Sequence, residues 1–218
     1  MNLDEPILWS FRRCPYAMRG RCAVKQSGVR VRLREILLRD KPDEFLKDSA
    51  KGTVPVLRLP DGSVIDESLE VMKWALNIND PDHWLNVLEE EPAFSDNFLS
   101  ELDGDFKYFL DRYKYANRYD LNKIESLAYR EQGFNFLLRI EKRIEKNQFI
   151  SGSKIGFLDI ASLPFIRQYR IADPGWFDAQ PIPRVQKMLN EFLNSILFRS
   201  IMEKYKPWES EDVNEVMF

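Results

Sequence analysis

The stretch ILWSFRRCPYAMRGRCAVKQSG, residues 7–28, decides the fold that this sequence predicts. It opens with a short apolar run, Ile7–Phe11, as expected for a buried strand. A proline comes directly after Cys14 and suits the first position of a helix, while Gly28 suits the position just after the helix ends. The stretch therefore predicts a strand followed by a helix over Pro15–Ser27, with a cysteine at the helix N-terminus.

The elements around this stretch follow from alternation, turn residues and helical spacing of apolar residues. In chain order, these patterns predict a strand at 29–34, a helix at 43–50, strands at 54–59 and 63–66, and a helix through Leu69, Met72 and Leu76. After residue 79 the strand signals largely vanish and apolar residues recur at helical spacing. We therefore expect an α/β N-terminal domain at 1–80, in the order βαβαββα, and an all-α helical bundle at 81–218. That order, with a cysteine opening the first helix, is one arrangement of a thioredoxin-like domain.

Composition excludes several classes of protein. The chain has 218 residues, 44% of them hydrophobic, and a formal net charge of -3, as expected for a globular protein of one or two domains. No apolar run approaches the roughly 18 residues that cross a bilayer, and the acidic start at Met1–Glu5 is unlike a signal peptide. We therefore expect a cytoplasmic protein that does not associate with a membrane. One histidine and two cysteines disfavour a metal site, and an acidic chain is not expected to bind nucleic acid.

Positive charge concentrates around the cysteine that begins the first helix. Between Arg12 and Arg39 there are nine Arg or Lys residues and one acidic residue, so this segment is expected to attract a small anion. Unpaired amides and the positive end of the helix dipole favour the thiolate of Cys14. With Arg12, Arg13 and Arg19 nearby, the pKa of Cys14 is expected to lie below the free value of about 8.5. The alternative is a buried structural cysteine.

Cys22 is expected to be a core residue, because it shares a helical face with Met18. Eight helical residues would separate the α-carbons of Cys14 and Cys22 by roughly 12 Å, beyond the approximately 7 Å limit for a disulfide. Ala17 takes the position of a resolving cysteine, so Cys14 would act as a single thiol. Any redox cycle would therefore need an external thiol.

The segment Gly52-Thr53-Val54-Pro55 places a proline at the entry to a strand. A cis Val54–Pro55 bond would turn the amide and carbonyl of Val54 outward, where an extended peptide could pair with them. The alternative is an ordinary trans proline that begins a strand.

Asp66-Glu67-Ser68 precedes the last predicted helix of the N-terminal domain. Free amides, a hydroxyl and the helix dipole at this point suit a carboxylate, and Glu67 could bind an amino group. The alternative is a plain helix cap.

In combination, these residues resemble the glutathione transferase superfamily, in particular its cysteine-containing, omega-like or glutaredoxin-like bacterial-type members. Cys-Pro-Tyr-Ala with a following arginine, Thr-Val-Pro-Val-Leu, and Glu-Ser before a helix occur in the family's order and at its approximate spacings. The resemblance spans most of the chain. It implies a catalytic Cys14, a Val54 backbone that binds the cysteinyl part of glutathione, a cis Pro55, a γ-glutamyl site at Glu67 and Ser68, and Lys41 at the glycyl carboxylate.

By this resemblance the protein is an enzyme of the glutathione transferase family, with glutathione as cosubstrate and a role in redox chemistry or detoxification. A cysteine in place of the usual Tyr or Ser hydroxyl implies a thiol transferase or glutathione-dependent reductase, in which Cys14 forms a mixed disulfide with glutathione. The second substrate would be a small electrophile or disulfide, with Tyr16 lining its site. The resemblance also implies a homodimer.

Two alternative functions stay open. A conventional transferase would conjugate glutathione to electrophiles, with the hydroxyl of Ser10 or Tyr16 activating the glutathione thiol. A non-catalytic, partner-binding protein could also use this fold. Three aromatic residues of the helical region also leave two possibilities open. They could line the second-substrate site or form the core of the bundle: Phe106, Phe109 and Tyr113.

One departure from the family pattern concerns stability. The family usually has a Ser or Thr cap three residues before the aspartate of the motif that here reads Gly156-Phe157-Leu158-Asp159. Glycine removes that hydroxyl, so one capping bond is expected to be missing, at a cost of about a few tenths of a kcal/mol. Asp159 can still reach back to the cap.

Overall fold

The computed structural model describes residues 5–210 and 216–218 of the chain. Met1–Asp4, which contribute to the signal-peptide argument, lie outside the described residues. The strands in the described ranges are Ile7–Ser10 (β1), Arg32–Glu35 (β2), Val56–Arg58 (β3), Val64–Ile65 (β4) and Val216–Met217 (β5). The α-helices there are Pro15–Ser27 (α1), Asp43–Asp48 (α2), Ser68–Ile78 (α3), Asn86–Glu90 (α4), Pro92–Glu101 (α5), Lys107–Lys114 (α6), Lys123–Asn147 (α7), Phe157–Ala172 (α8), Pro174–Asp178 (α9), Pro183–Asn194 (α10) and Ile196–Ile201 (α11). A π-helical segment, Leu102–Phe106, and a 3-10 helix, Ala116–Tyr119, flank α6.

The five strands of the described ranges form one mixed sheet in the order β4-β3-β1-β2-β5. β1 runs parallel to β2 and antiparallel to β3, so Leu8 lies opposite both Leu33 and Leu57. All three leucines are buried. A parallel pair of strands needs a crossover connection, and α1 supplies it between β1 and β2. The thioredoxin-like fold expected for the N-terminal region is therefore confirmed, together with a mostly helical C-terminal region.

The expectation that the chain is entirely helical after residue 80 is wrong at its C-terminal end. β5 pairs antiparallel with β2, with Met217 opposite Arg32. Phe218 extends this pairing, since its backbone exchanges hydrogen bonds of 2.9 and 3.2 Å with that of Val31. A two-residue strand is too short to show an alternating pattern in the sequence, and for that reason it was not predicted. It forms because the edge of β2 is available for pairing.

The chain divides into two compact units, one of Met1–Pro81 with Ser195–Phe218 and the other of Asp82–Asn194. The sequence-based ranges, 1–80 and 81–218, differ from this division because the last segment packs with the first unit, where α11 lies against α1. The assignment of glutathione binding to residues 1–80 and of substrate binding to residues 81–218 stays a prediction. Every helix of the described residues is too short or too polar to span a bilayer.

In the first unit, α1 and α3 approach each other closely. A Cβ placed on Gly20 of α1 would lie 3.0 Å from Cγ1 of Val71 in α3 and 3.7 Å from Cγ of Pro55. A larger side chain at residue 20 would therefore push the two helices apart. This packing fixes α1, which begins just after Cys14, against α3 and against the loop that precedes β3.

Aromatic rings form the core of the second unit. The ring of Phe106 lies 4.7 Å from that of Phe136 and 5.7 Å from that of Tyr169, and the ring of Tyr113 lies 5.2 Å from that of Tyr169. Phe106 and Tyr113 are 1% and 8% exposed. For these two residues the interpretation as bundle core is therefore correct, whereas Phe109 is half-buried.

The start of α8 corrects the expected loss of a capping bond. The backbone N–H of Leu158 donates to Oγ of Ser151 at 3.1 Å, so a serine from the preceding loop supplies the hydroxyl. Asp159 accepts from the backbone N–H of Gly156 at 3.0 Å, as expected. A Cβ on Gly156 would lie 2.8 Å from Cβ of Ser151, so the two positions cannot both carry side chains without rearrangement.

Candidate functional site

Cys14 lies immediately before the first residue of α1. Its backbone is extended, with φ -74° and ψ 124°, and its carbonyl accepts a hydrogen bond from the N–H of Met18 at 3.0 Å. Pro15 occupies the first helical position, where an N–H would have no partner within the helix. The Cys14 side chain is half-buried. The predicted placement of this cysteine at a helix N-terminus, where the helix dipole favours a negative charge, is confirmed.

The Cys14 sulfur lies beside the backbone of Val54. Its thiol donates to the Val54 carbonyl oxygen, with a sulfur–oxygen distance of 3.7 Å. The Val54–Pro55 peptide bond is cis, so the expectation from the family resemblance is confirmed and the trans alternative is wrong. Val54 itself is 6% exposed. The structure thus brings together the predicted reactive sulfur and the backbone predicted to bind the cysteinyl part of a peptide.

The three arginines expected to support the Cys14 thiolate have contacts of their own. The Arg12 guanidinium donates to the Met202 carbonyl at 3.4 Å, and the Arg13 guanidinium lies 5.1 Å from the centre of the Phe11 ring. Arg19 is fully buried. The lowered pKa of Cys14 therefore stays a prediction, and its geometric support is the N-terminus of α1.

The basic segment around Cys14 is also less available to an anion than its sequence suggests. Arg21 is fully buried and donates to the Glu35 carboxylate at 2.8 Å. Burial lowers the pKa of Arg21, while its pairing with Glu35 opposes that effect. Arg34 packs beside two indole rings that contact each other edge to face, with 4.9 Å from its guanidinium to the Trp9 ring and 4.3 Å to the Trp208 ring. Two of the nine basic residues are thus fully buried and a third packs against aromatic rings.

Glu67 precedes the first residue of α3 and points into solvent, with 67% of its side chain exposed. Its carboxylate pairs with the Lys51 ammonium at 2.5 Å, and the same ammonium lies 3.2 Å from the Asp66 carboxylate. Hydrogen bonding to Glu67, and then to Asp66, raises the pKa of Lys51. Glu67 is therefore placed at the helix start as predicted, with a lysine partner that sequence reasoning did not identify.

Ser68 is the first residue of α3 and is 5% exposed. Its Oγ accepts a hydrogen bond from Nη1 of Arg19 at 3.2 Å. The Arg19 guanidinium also lies 5.3 Å from the centre of the Tyr16 ring. Tyr16, the predicted substrate-binding residue, is half-buried. Arg19 thus connects the helix that follows Cys14 to the start of α3.

Lys41 lies beside the loop that leads to Val54. Its Nζ would be 3.3 Å from a Cβ placed on Gly52, so the ammonium covers that glycine. Gly52 has φ +62°, a left-handed conformation that favours glycine. The structure therefore brings Lys41 close to the predicted peptide-binding loop. Lys41 is exposed, so a ligand can reach its ammonium group.

Two groups considered in the sequence analysis are inaccessible. Ser10 is fully buried, and its Oγ accepts from Arg21 at 3.4 Å, so its hydroxyl is not placed to activate a bound thiol. Cys22 is fully buried, and burial raises the pKa of its thiol far above the ordinary value. Cys14 and Cys22, both in the described part of the chain, form no disulfide with each other. The prediction of Cys22 as a core residue is confirmed.

Among the described residues, no three His, Cys, Asp or Glu side chains come together in a way that could hold a metal ion. The candidate site instead offers the backbone carbonyl of Val54, the carboxylate of Glu67 and the hydroxyl of Ser68. These groups lie near the starts of α1 and α3, and Cys14 precedes α1. Such groups suit a small zwitterionic peptide.

The two contacts missed by sequence reasoning join residues far apart in the chain. Arg19 and Ser68 are separated by 49 positions, and Lys51 and Glu67 by 16 positions. A sequence signal did exist for Arg19. It is the fifth residue of the predicted first helix, so it was expected to lie near the helix start and Cys14. Nothing in the local pattern around Lys51 indicates its partner.

Comparison with known proteins agrees with this geometry. Residues 8–83 match the family model described as Glutathione S-transferase, N-terminal domain. Over 62 residues the chain is 37% identical to glutathione S-transferase omega-1 of Rattus norvegicus, a match covering 28% of this chain and 26% of that protein. The matched stretch thus spans about a quarter of the length of that curated relative.

Solved structures share the fold along most of the chain. A glutathione transferase family member from Pseudomonas fluorescens pf-5, with two glutathione bound, has a TM-score of 0.75 at 17% identity and covers 92% of this chain and 93% of its own. The glutathione transferase URE2P6 from Phanerochaete chrysosporium, in complex with oxidized glutathione, has a TM-score of 0.76 at 15% identity, with 91% and 94% covered. At these identities the likeness shows the fold. Residues 8–83 therefore match the N-terminal domain of glutathione S-transferases, and most of the chain shares the fold of solved glutathione transferases.

Proposed function

We propose that this protein is a glutathione-dependent thiol transferase or reductase in which Cys14 is the single reactive sulfur. The observation that carries the proposal is the position of that sulfur, at the start of α1 and 3.7 Å from the Val54 carbonyl oxygen. A conjugating transferase needs a hydroxyl that stabilises the glutathione thiolate without reacting. A cysteine at this point supplies a nucleophile instead, which favours disulfide chemistry.

The binding of glutathione is part of the proposal. It is supported by the glutathione-bound structures of similar fold from Pseudomonas fluorescens and Phanerochaete chrysosporium, and by the omega-class relative. The Val54 backbone would pair with the cysteinyl residue, which places the glutathione sulfur near that of Cys14. Glu67 and Ser68 would hold the γ-glutamyl end, and Lys41 would attract the glycyl carboxylate.

The proposed reaction is a pair of thiol–disulfide exchanges. The Cys14 thiolate attacks the glutathionyl sulfur of a mixed disulfide, forms a bond to it, and releases the substrate as a thiolate. A second glutathione, as its thiolate, attacks the same glutathionyl sulfur, forms oxidised glutathione and restores the Cys14 thiolate. Overall, one mixed disulfide and one glutathione become one reduced thiol and one oxidised glutathione, with the proton of glutathione passing to the released thiol.

A second glutathione is needed because the chain offers no resolving thiol. Cys22 is fully buried, and eight helical residues place its α-carbon roughly 12 Å from that of Cys14. Attack by Cys22 on a Cys14 mixed disulfide would therefore require unfolding of α1.

Intact-mass spectrometry tests this proposal. Exposure of the wild-type protein to oxidised glutathione should add one glutathionyl group, which reduced glutathione then removes. Cys14→Ser should show no adduct. Cys22→Ala, which removes the other thiol, should show the same adduct as wild type. Absence of an adduct on the wild type, or its persistence in Cys14→Ser, would reject the role of Cys14.

A further inference from the structure

Arg19 is a fully buried cation in the first unit, one and a half turns along α1 from Cys14. Burying a charged side chain is costly unless polar partners or a counterion compensate. Its guanidinium donates to Oγ of Ser68 at 3.2 Å and lies 5.3 Å from the centre of the Tyr16 ring. The cation is therefore held against Ser68 of the proposed glutathione site and Tyr16 of the proposed second-substrate site, and the reaction proposed above assigns it no role.

The contact between Arg19 and Ser68 fixes the direction in which the serine hydroxyl can donate. A guanidinium has only N–H donors, so Ser68 Oγ must be the acceptor of this bond. The one proton of the hydroxyl is then left to donate to a different acceptor. Ser68 is also the first residue of α3, where backbone N–H groups lack helical partners and the dipole is positive.

The charges around Ser68 and Glu67 favour different positions for the α-carboxylate and the α-ammonium of the γ-glutamyl group. A carboxylate accepts hydrogen bonds, so it fits a serine proton backed by a buried cation and a helix N-terminus. An ammonium group only donates, and it would be repelled by the Arg19 guanidinium and by the positive end of the α3 dipole, which both lie at Ser68. The exposed carboxylate of Glu67, adjacent in the chain, can accept further hydrogen bonds beside its pair with Lys51, so it suits the ammonium.

Resting on the proposed binding of glutathione, we propose that Arg19 is a positioning residue for the α-carboxylate of the γ-glutamyl group. It holds the Ser68 hydroxyl as a donor and places a positive charge behind it. Arg19 does not touch the ligand in this arrangement, and it takes no part in the chemistry at Cys14. Its effect should therefore appear in binding and should depend on whether the ligand carries that carboxylate.

A purely structural role for Arg19 is the competing explanation. Arg19 precedes Gly20, whose close approach to Val71 shows that α1 and α3 are tightly packed. Loss of the arginine could therefore loosen both helices and weaken every ligand to the same extent. The test must compare ligands that differ only at the proposed carboxylate.

Calorimetry with three reduced peptides makes this comparison. Glutathione carries both the α-amino group and the α-carboxylate, 4-aminobutyryl-cysteinyl-glycine lacks the carboxylate, and glutaryl-cysteinyl-glycine lacks the amino group. Arg19→Gln should weaken the binding of glutathione and of the glutaryl peptide by about tenfold or more, the loss expected for a charge-assisted hydrogen bond. The dissociation constant of the 4-aminobutyryl peptide should change far less.

Three further variants keep the test decisive. Arg19→Lys retains the charge and should recover much of the preference for the carboxylate-bearing peptides. Arg30→Gln removes an exposed arginine that pairs with Glu5 at 3.4 Å, and should leave all three constants unchanged. Should Arg19→Gln fail to fold, Ser68→Ala decides, since the proposal requires the same carboxylate-specific loss from it.

Equal weakening of all three peptides by Arg19→Gln, or by Ser68→Ala, would overturn the proposal, as would a wild-type protein that does not bind glutathione. The measurement is of binding alone. Glutathione binding with the predicted selectivity, in a protein that forms no adduct at Cys14, would support the role of Arg19 while rejecting the proposed reaction.

Discussion

The Glu35 carboxylate accepts a hydrogen bond from the backbone N–H of Arg12 at 2.7 Å, two residues before Cys14. The other oxygen of the same carboxylate pairs with Arg21 at 2.8 Å, and both side chains of this pair are buried. Glu35 therefore anchors the turn before Cys14 to β2 and neutralises a buried cation on α1. A single carboxylate thus supports both the position of the proposed nucleophile and the stability of the first unit.

Glu35→Gln should destabilise the protein strongly, because it leaves the Arg21 guanidinium buried without a counterion. Breaking a buried ion pair by removing one partner costs about 3–5 kcal/mol. The free energy of unfolding in urea gives the measurement. Glu191→Gln is the control, since Glu191 pairs with Lys187 at an exposed site, where such pairs contribute about 0–1 kcal/mol. Equal effects of the two substitutions would show that the Glu35 pair is not important for stability.

Ser151 should stabilise the start of α8 through its hydroxyl. Ser151→Gly removes the acceptor of the Leu158 N–H and should cost about a few tenths of a kcal/mol, as for a capping residue replaced by glycine. Gly156→Ser alone should also destabilise, since its Cβ would lie 2.8 Å from that of Ser151. The double variant frees that space and restores a hydroxyl at the cap, so it should be more stable than either single variant. Additive losses in thermal unfolding would contradict this account.

The two cysteines should differ sharply in their reaction with iodoacetamide. Cys14 is half-buried at a helix N-terminus, whereas Cys22 is fully buried and burial raises the pKa of its thiol. In the native protein only the Cys14 peptide should be alkylated, and in denaturant both peptides should be. The rate at Cys14 should reach its plateau at a lower pH than for free cysteine, because the helix dipole favours the thiolate. A plateau at or above the pH found for free cysteine would contradict the proposed activation.

Local signals predicted the parts of the fold that depend on local chemistry. Pro15 and Gly28 define the limits of α1 because a proline suits a first helical turn and a glycine suits the left-handed residue after a helix, where Gly28 has φ 70°. Local patterns could not predict β5, because its pairing depends on the edge of a strand nearly two hundred positions earlier. The same reason applies to the site, where Cys14 was recognisable but its contact with Val54 joins positions 40 apart.

The cap of α8 shows how a resemblance can mislead. The family pattern places a hydroxyl at the position of Gly156, and its absence predicted a missing hydrogen bond. Ser151 supplies the hydroxyl from five positions earlier, in space that a side chain at residue 156 would occupy. Sequence reasoning examined the expected position alone, so it did not find a compensation that depends on the path of the preceding loop.

Turnover of a glutathione mixed disulfide tests the central claim most directly. The rate at which the purified protein reduces a small glutathionylated thiol is measured with excess glutathione, for wild type, Cys14→Ser and Cys22→Ala, together with conjugation of a chlorinated aromatic. The account predicts that Cys14→Ser loses disulfide reduction to the uncatalysed rate while Cys22→Ala retains it. Full reduction by Cys14→Ser, or conjugation that exceeds disulfide reduction and survives that substitution, would contradict it.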